Sequence, residues 1–209
     1  MISIFLQLLL LCNHSNSLTT SNLVLSNEFN SDKIILDSDV SFEQAIANSE
    51  IPPEIIEQLT LIHVKYFGFD SRMHIGQLLT NKSCADELYE IFAELYSLKF
   101  PIQMVKPISE FGWSDETSMI ANNTSSFNYR KIHGTGYNSL HSIGLAIDIN
   151  PVQNPQMKQG RAIPSNATYN LTSPGTFLKF SKAVNGFKKK GWRWGGDWAN
   201  NKDYQHFEK

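Results

Sequence analysis

Cysteine is nearly absent: Cys12 and Cys84 are the only two in 209 residues. With Cys12 inside an apolar N-terminal run that export would remove, the mature chain has no internal disulfide available, so its stability must come from a hydrophobic core. Cys84 shares a helical spacing with Leu88, Ile91 and Leu95 and reads as a small buried hydrophobe, not a nucleophile. Charge is also sparse, at 18% of residues with a net charge of -2 and a pI near 6.3. No basic stripe with interleaved aromatics occurs, which excludes nucleic acid as the expected partner. Long apolar runs are missing too. The one at Ile2–Cys12, broken by Gln7, is too short to span a bilayer and has the length of a signal-peptide core.

The polar Asn/Ser/Thr stretch behind that run favours export over a buried N-terminal helix. No Lys or Arg precedes it, and Leu11 stands where a lipoprotein would need a small residue before Cys12. Residues 1–20 are therefore read as a signal peptide or N-terminal apolar segment, the one part available for membrane attachment. The expected location is periplasmic, cell-wall or secreted. Residues 21–50 are polar and without strong periodicity, as a linker or arm would be. The remaining stretch, 51–209, is long enough for one core and is expected to be a single domain.

Within it, a short helix is predicted after Pro52-Pro53 and a strand over Leu61–Phe67. Ser83 and Asp86 resemble a capping box for a helix carrying Leu88, Ile91, Phe92 and Leu95 on one face. Ile102–Ile108 reads as a strand. The polar segment SEFGWSDETSMIANNTSSFN, residues 109–128, reads as a long loop, functional or disordered. Ser173-Pro174 is the predicted start of a helix with Phe177, Phe180, Val184 and Phe187 on one face. That helix closes on Lys188–Lys190 and Gly191, so the lysine run is a helix terminus and not a binding patch. No internal repeat or low-complexity tract stands out.

The chemistry concentrates in LHSIGLAIDINP, Leu140–Pro151. His141 and Asp148 would stand about 10.5 Å apart along a helix or about 23 Å apart along a strand, too far to grip one ion at about 2 Å. The chain must turn between them, and Gly144 is the natural place. After it, Leu145, Ile147 and Ile149 alternate with Ala146, Asp148 and Asn150, placing Asp148 on the face opposite the aliphatics. A third ligand is offered by DYQHFE, where Asp203 and His206 are three apart and within about 5 to 6 Å at their Cβ atoms in a helical turn. His141, Asp148 and His206 would hold the ion, with Asp203 as base to a water it acidifies. Two histidines with one carboxylate favour Zn2+ over the oxygen-preferring cations. His14, His63, His74 and His133 are read as structural.

SLHSIGLAID matches S-x-H-x-x-G-x-A-x-D, and together with the closing D-x-x-H it resembles the zinc peptidoglycan peptidases, which include D-alanyl-D-alanine carboxypeptidases and L-alanyl-D-glutamate endopeptidases. NNTSSFNYR, AIDINPVQNP and GWRWGGDW are similar to the endopeptidase-like branch. The short Asp203, where carboxypeptidase branches usually carry Glu, agrees with it. Tyr129 stands where relatives often have cysteine, a change expected to affect packing only.

The resemblance covers about Leu61 to the C-terminus. It implies an α+β fold, a small antiparallel sheet flanked by helices like that of the Hedgehog signalling domain. It also implies zinc ligands His141, Asp148 and His206, acid/base Asp203, and Arg130 as a buried guanidinium stabilising the oxyanion. Ser139 is expected to orient His141 or touch substrate. Of Trp192, Trp194 and Trp198, Trp194 is the one expected beside substrate. For Asp197, binding a substrate amine and capping a turn stay open. The implied substrate is a peptidoglycan stem peptide, cut at the L-alanyl-D-glutamate bond. Removal of terminal D-alanine is the alternative, and a non-catalytic metal-stabilised wall-binding module a further one. Oligomeric state is left open.

Overall fold

Hydrogen bonds and a small apolar cluster together fasten the beginning of the fold. The computed structural model describes residues 34–131 and 136–209. Strand β1, Ile35–Leu36, runs parallel to the start of a later hairpin strand, pairing Ile35 with His74 and Leu36 with Ile75. Asp37 follows and binds three groups at once: His74 Nδ1 at 3.0 Å, the Val105 amide at 3.3 Å and the Tyr66 hydroxyl. Helix α1, Phe42–Ile46, is closed by a Ser41/Gln44 capping box and buries Ala45 completely. The expectation of a loose arm up to residue 50 is thus corrected for 34–50. Val40, Phe42, Ala45 and Ile46 pack with Leu59, Leu79 and Phe127, but a five-residue helix is too short to show a clear period in the sequence, and hydrogen bonds from Asp37 supply the rest. The rest of that arm, the N-terminal apolar segment and His133 lie outside the described residues.

Helix α2, Pro53–Ile56, leads into a long antiparallel hairpin of β2, Leu59–Gly68, and β3, Met73–Asn81. Helix α3, Ala85–Ser97, lays Leu88, Ile91, Phe92 and Leu95 on β2 to build the main core, with Cys84 buried beside them. Its approach is capped not by Ser83 but by Asn81, whose Oδ1 accepts from the Ser83 amide at 3.0 Å. The expected strand 102–108 is broken into β4, Pro101–Ile102, and β5, Met104–Val105, because the amide of Gln103 turns to Asn150 Oδ1 at 3.1 Å.

The polar segment 109–128 is ordered. It carries α4, Asp115–Ile120, capped by Ser114, and β6, Asn123–Thr124, parallel to β5. Its polar residues act as internal glue: Asn123 Nδ2 donates to both Lys106 O and Ser118 Oγ at 3.0 Å.

Strand β7, Ala146–Asp148, precedes a small hairpin of β8, Gln156–Lys158, and β9, Arg161–Ile163. Helix α5 covers only Lys182–Lys189 and is capped by Ser181. The earlier start predicted at Ser173-Pro174 fails at Phe180, which takes a positive φ of 69° and is 76% exposed. Phe177, Val184 and Phe187 still enter the core. β10, Arg193–Trp194, and β11, His206–Glu208, complete an antiparallel sheet in the order β10-β11-β7.

The architecture is α+β, as expected. The sheet is not one antiparallel unit, however, but several small ones among the described residues. The largest, β1-β3-β2-β4, mixes parallel and antiparallel pairs.

Candidate metal centre

His141 is placed by a 3₁₀ turn over Leu140–Ile143, which Gly144 ends with a φ of 71°. A Cβ on Gly144 would come within 2.5 Å of the Asn81 amide nitrogen, so the turn between His141 and Asp148 requires glycine for conformation and for space. Past it, β7 delivers Asp148, and the antiparallel register sets His206 of β11 directly opposite. Asp203 and His206 are not on a helix, as expected from their spacing. The His206 amide donates to Asp203 O at 3.3 Å in a turn, and Asp203 bridges to Gln156 before the chain straightens into β11.

Three donor atoms converge. His141 Nε2 lies 3.1 Å from His206 Nδ1 and 3.3 Å from Asp148 Oδ2, while His206 Nδ1 lies 2.9 Å from Asp148 Oδ1. All three residues are buried, and they are the group of acids, histidines and cysteines able to hold an ion among the described residues. The outward nitrogen of each imidazole has its own acceptor. His141 Nδ1 is 2.6 Å from Ser126 O, and His206 Nε2 is 3.2 Å from Glu208 Oε2. Burial opposes the charge of His206, but Asp148, Glu208 and Asp203 push its pKa up to about 10; an ion would displace the inward proton, with the outward N–H still donated. Burial opposes the charge of Asp148, but His141 and His206 outweigh it and hold the carboxyl well below the usual range.

Asp203 stands beside this group. Its Oδ2 accepts from Gln156 Nε2 at 2.8 Å, and its Oδ1 is buried without a partner. Burial first, then the Asp148 charge, pushes its pKa up to about 7 against the pull of His206, Gln156 and His141. Gly195 makes room for it, since a Cβ there would sit 2.4 Å from Asp203 O.

These residues line one cavity of about 790 Å³, with Arg130 and Ser139 in its wall. Arg130 is not buried as expected: its side chain is 32% exposed, and Nη2 pairs with Asp115 Oδ2 at 3.0 Å. Its backbone is tied to the His141 turn, donating to Ser142 Oγ at 3.0 Å and accepting from the Ser139 amide at 3.1 Å. Ser139 positions the backbone of His141, not its ring, by accepting from the His141 amide at 3.3 Å.

The aromatic segment divides between core and cavity wall, and the expectation that Trp194 is the residue beside the cavity is corrected. Trp194 is 2% exposed, donates to Tyr204 O at 2.9 Å and belongs to the core. Trp198 forms the cavity wall instead, 5.4 Å from the His206 ring between centroids. Asp197 is paired with Lys188 and is absent from the cavity lining. Sequence reasoning missed Asp115, Gln156 and Glu208. Glu208 alone carried a signal, standing two residues from His206 and so on the same strand face.

Residues 133–209 match the family model described as D-alanyl-D-alanine carboxypeptidase, which supports the family resemblance read from the motifs. No solved structure matches the chain.

Proposed function

We propose, with the kinship of residues 133–209 to the D-alanyl-D-alanine carboxypeptidase family as premise, that the protein is a zinc-dependent peptidase acting on peptidoglycan stem peptides. The observation that carries this reading is the convergence of His141 Nε2, Asp148 and His206 Nδ1 in the same cavity as the unpartnered Asp203 Oδ1. The donor set fits the ion. Tetrahedral ligands at about 2.0–2.1 Å from zinc stand about 3.3 Å from one another, close to the 2.9, 3.1 and 3.3 Å separations found here.

When bound, such an ion polarises a carbonyl oxygen and acidifies water. The chain's own residues supply the rest. Asp203, with one oxygen anchored by Gln156, keeps the other free to take a proton and return it to the leaving amine. Arg130, fixed by Asp115 and by the His141 turn, offers guanidinium donors to the developing oxyanion at the cavity wall. Trp198 and Leu140 line the same cavity and shield the site from water.

The bond proposed is L-alanyl-D-glutamate, supported by the endopeptidase-like motifs and by Asp in place of Glu at 203. Trimming of terminal D-alanine is a second reading, favoured by the description of the matching family model. The fold would then be the one shared by Hedgehog domains and D,D-peptidases, and export through the N-terminal apolar segment would bring the enzyme to its substrate. Mass analysis of stem peptides after incubation with the zinc-loaded protein tests both. Cleavage after L-alanine supports the first bond and loss of a single alanine the second, while intact stems contradict the hydrolase.

A further inference from the structure

The β8–β9 hairpin carries an arrangement that the metal centre does not use. Its two-residue connection, Gln159-Gly160, has positive φ at both positions, 50° and 76°, and sets Lys158 directly opposite Arg161. Directly opposed residues project on one face, so two cations stand side by side with Cβ atoms about 4.5–5.5 Å apart, an arrangement that is destabilising in itself. Neither has an acidic partner among the described residues. The same face carries Gln156, two residues before Lys158, and Ile163, opposite Gln156. Lys158, Gln156 and Ile163 all line the cavity of the metal centre. Gln156 holds Asp203, so Lys158 lies one side-chain step, roughly 7 Å along the strand, from the residue that anchors the proposed acid/base, and Arg161 stands opposite Lys158 at the exposed rim, outside the cavity lining. The other cation of the cavity wall, Arg130, differs in having an acidic partner, Asp115.

We infer that Lys158 and Arg161 form a subsite for a carboxylate carried by the substrate close to the bond that is cut. The bound anion offsets the repulsion that the hairpin builds in. This rests on the peptidase reading and deepens it: the substrate is an anionic peptide. Two carboxylates of a stem peptide could fill the subsite, the α-carboxylate of D-glutamate and the terminal one of D-alanine.

The test uses the full chain, metal-loaded and carrying Asp203→Asn so that peptides are not consumed, titrated calorimetrically with two pairs of synthetic peptides. One pair contains the L-alanyl-D-glutamyl bond with the α-carboxylate free or as carboxamide. The other ends in D-alanyl-D-alanine, free or amidated. The free acid of one pair is expected to bind about tenfold tighter than its amide, as one charge-assisted contact allows, and the pair showing the preference identifies the source. Adding Lys158→Gln and Arg161→Gln should erase that preference, leave the amide's affinity unchanged, and leave the melting temperature equal or higher, since repulsion is relieved. Twins that bind alike or not at all, or a preference that survives both substitutions, overturn the inference. Cleavage of stems by the chain with Asp203 intact is scored separately. Carboxylate-dependent binding without cleavage overturns only the hydrolase reading, and cleavage without carboxylate dependence overturns only the subsite.

Discussion

His206 and Asp148 are cross-strand partners, 2.9 Å apart at Nδ1 and Oδ1 although 58 residues separate them in the chain. The metal centre is thus held by strand register. Phe207, between the two cavity-facing residues His206 and Glu208, points the other way and stacks on Phe187 with centroids 3.8 Å apart. A one-residue slip of β11 would turn His206 into the core and Phe207 into the cavity.

Phe207→Ala should accordingly act on two properties at once. Its full burial implies a loss of about 3–5 kcal/mol in unfolding free energy, measured by chemical denaturation. Metal affinity should fall as well, although Phe207 touches no ligand atom, because the strand that presents His206 loses its anchor.

Glu208 holds the far nitrogen of His206 and is itself paired with Arg193 at 2.9 Å. Glu208→Ala should weaken metal binding by about 10–100-fold in a competition assay with a chelating dye. Glu208→Gln keeps an acceptor for the ring N–H and should lose less.

Asp203→Asn preserves shape and removes the basic oxygen. Turnover should drop by about 10²–10⁴-fold while metal content stays at the wild-type level. Gln156→Leu should cause a smaller loss, since the carboxylate remains but is free to rotate away from its working position.

Gly144→Ala places a side chain at a φ of 71° and within 2.5 Å of a backbone nitrogen. The left-handed conformation alone costs about 1–2 kcal/mol, and the clash with Asn81 adds to it. Thermal unfolding should show a clear fall in melting temperature, with reduced metal affinity because the turn joining His141 to Asp148 must shift.

The three candidate ligands and Asp203 were legible because each stands in a short motif: His141 and Asp148 flank a glycine turn, and Asp203 and His206 are three apart. The α+β class and the helix built on Leu88, Ile91, Phe92 and Leu95 were legible from periodicity. What escaped has a common cause. Residues 34–50 are held by hydrogen bonds from Asp37 together with a small apolar cluster around Ala45, and residues 109–128 by hydrogen bonds such as those of Asn123, a residue that hydropathy sees only as polar. Asp115 meets Arg130 from a different element, and Gln156 meets Asp203 across 47 residues, contacts that no local spacing encodes. Trp194 and Trp198 are alike in composition and differ only in which side of a 3₁₀ turn, Gly195–Asp197, they occupy.

The most direct measurement is the metal stoichiometry of the purified chain and of a His141→Ala/His206→Ala variant, by titration with zinc under a fluorescent competitor. One ion per wild-type chain and none at comparable affinity in the variant is the result expected from the convergence of His141, Asp148 and His206. A wild-type chain that binds no ion, or a variant that binds it equally well, would contradict the metal centre and the chemistry built on it.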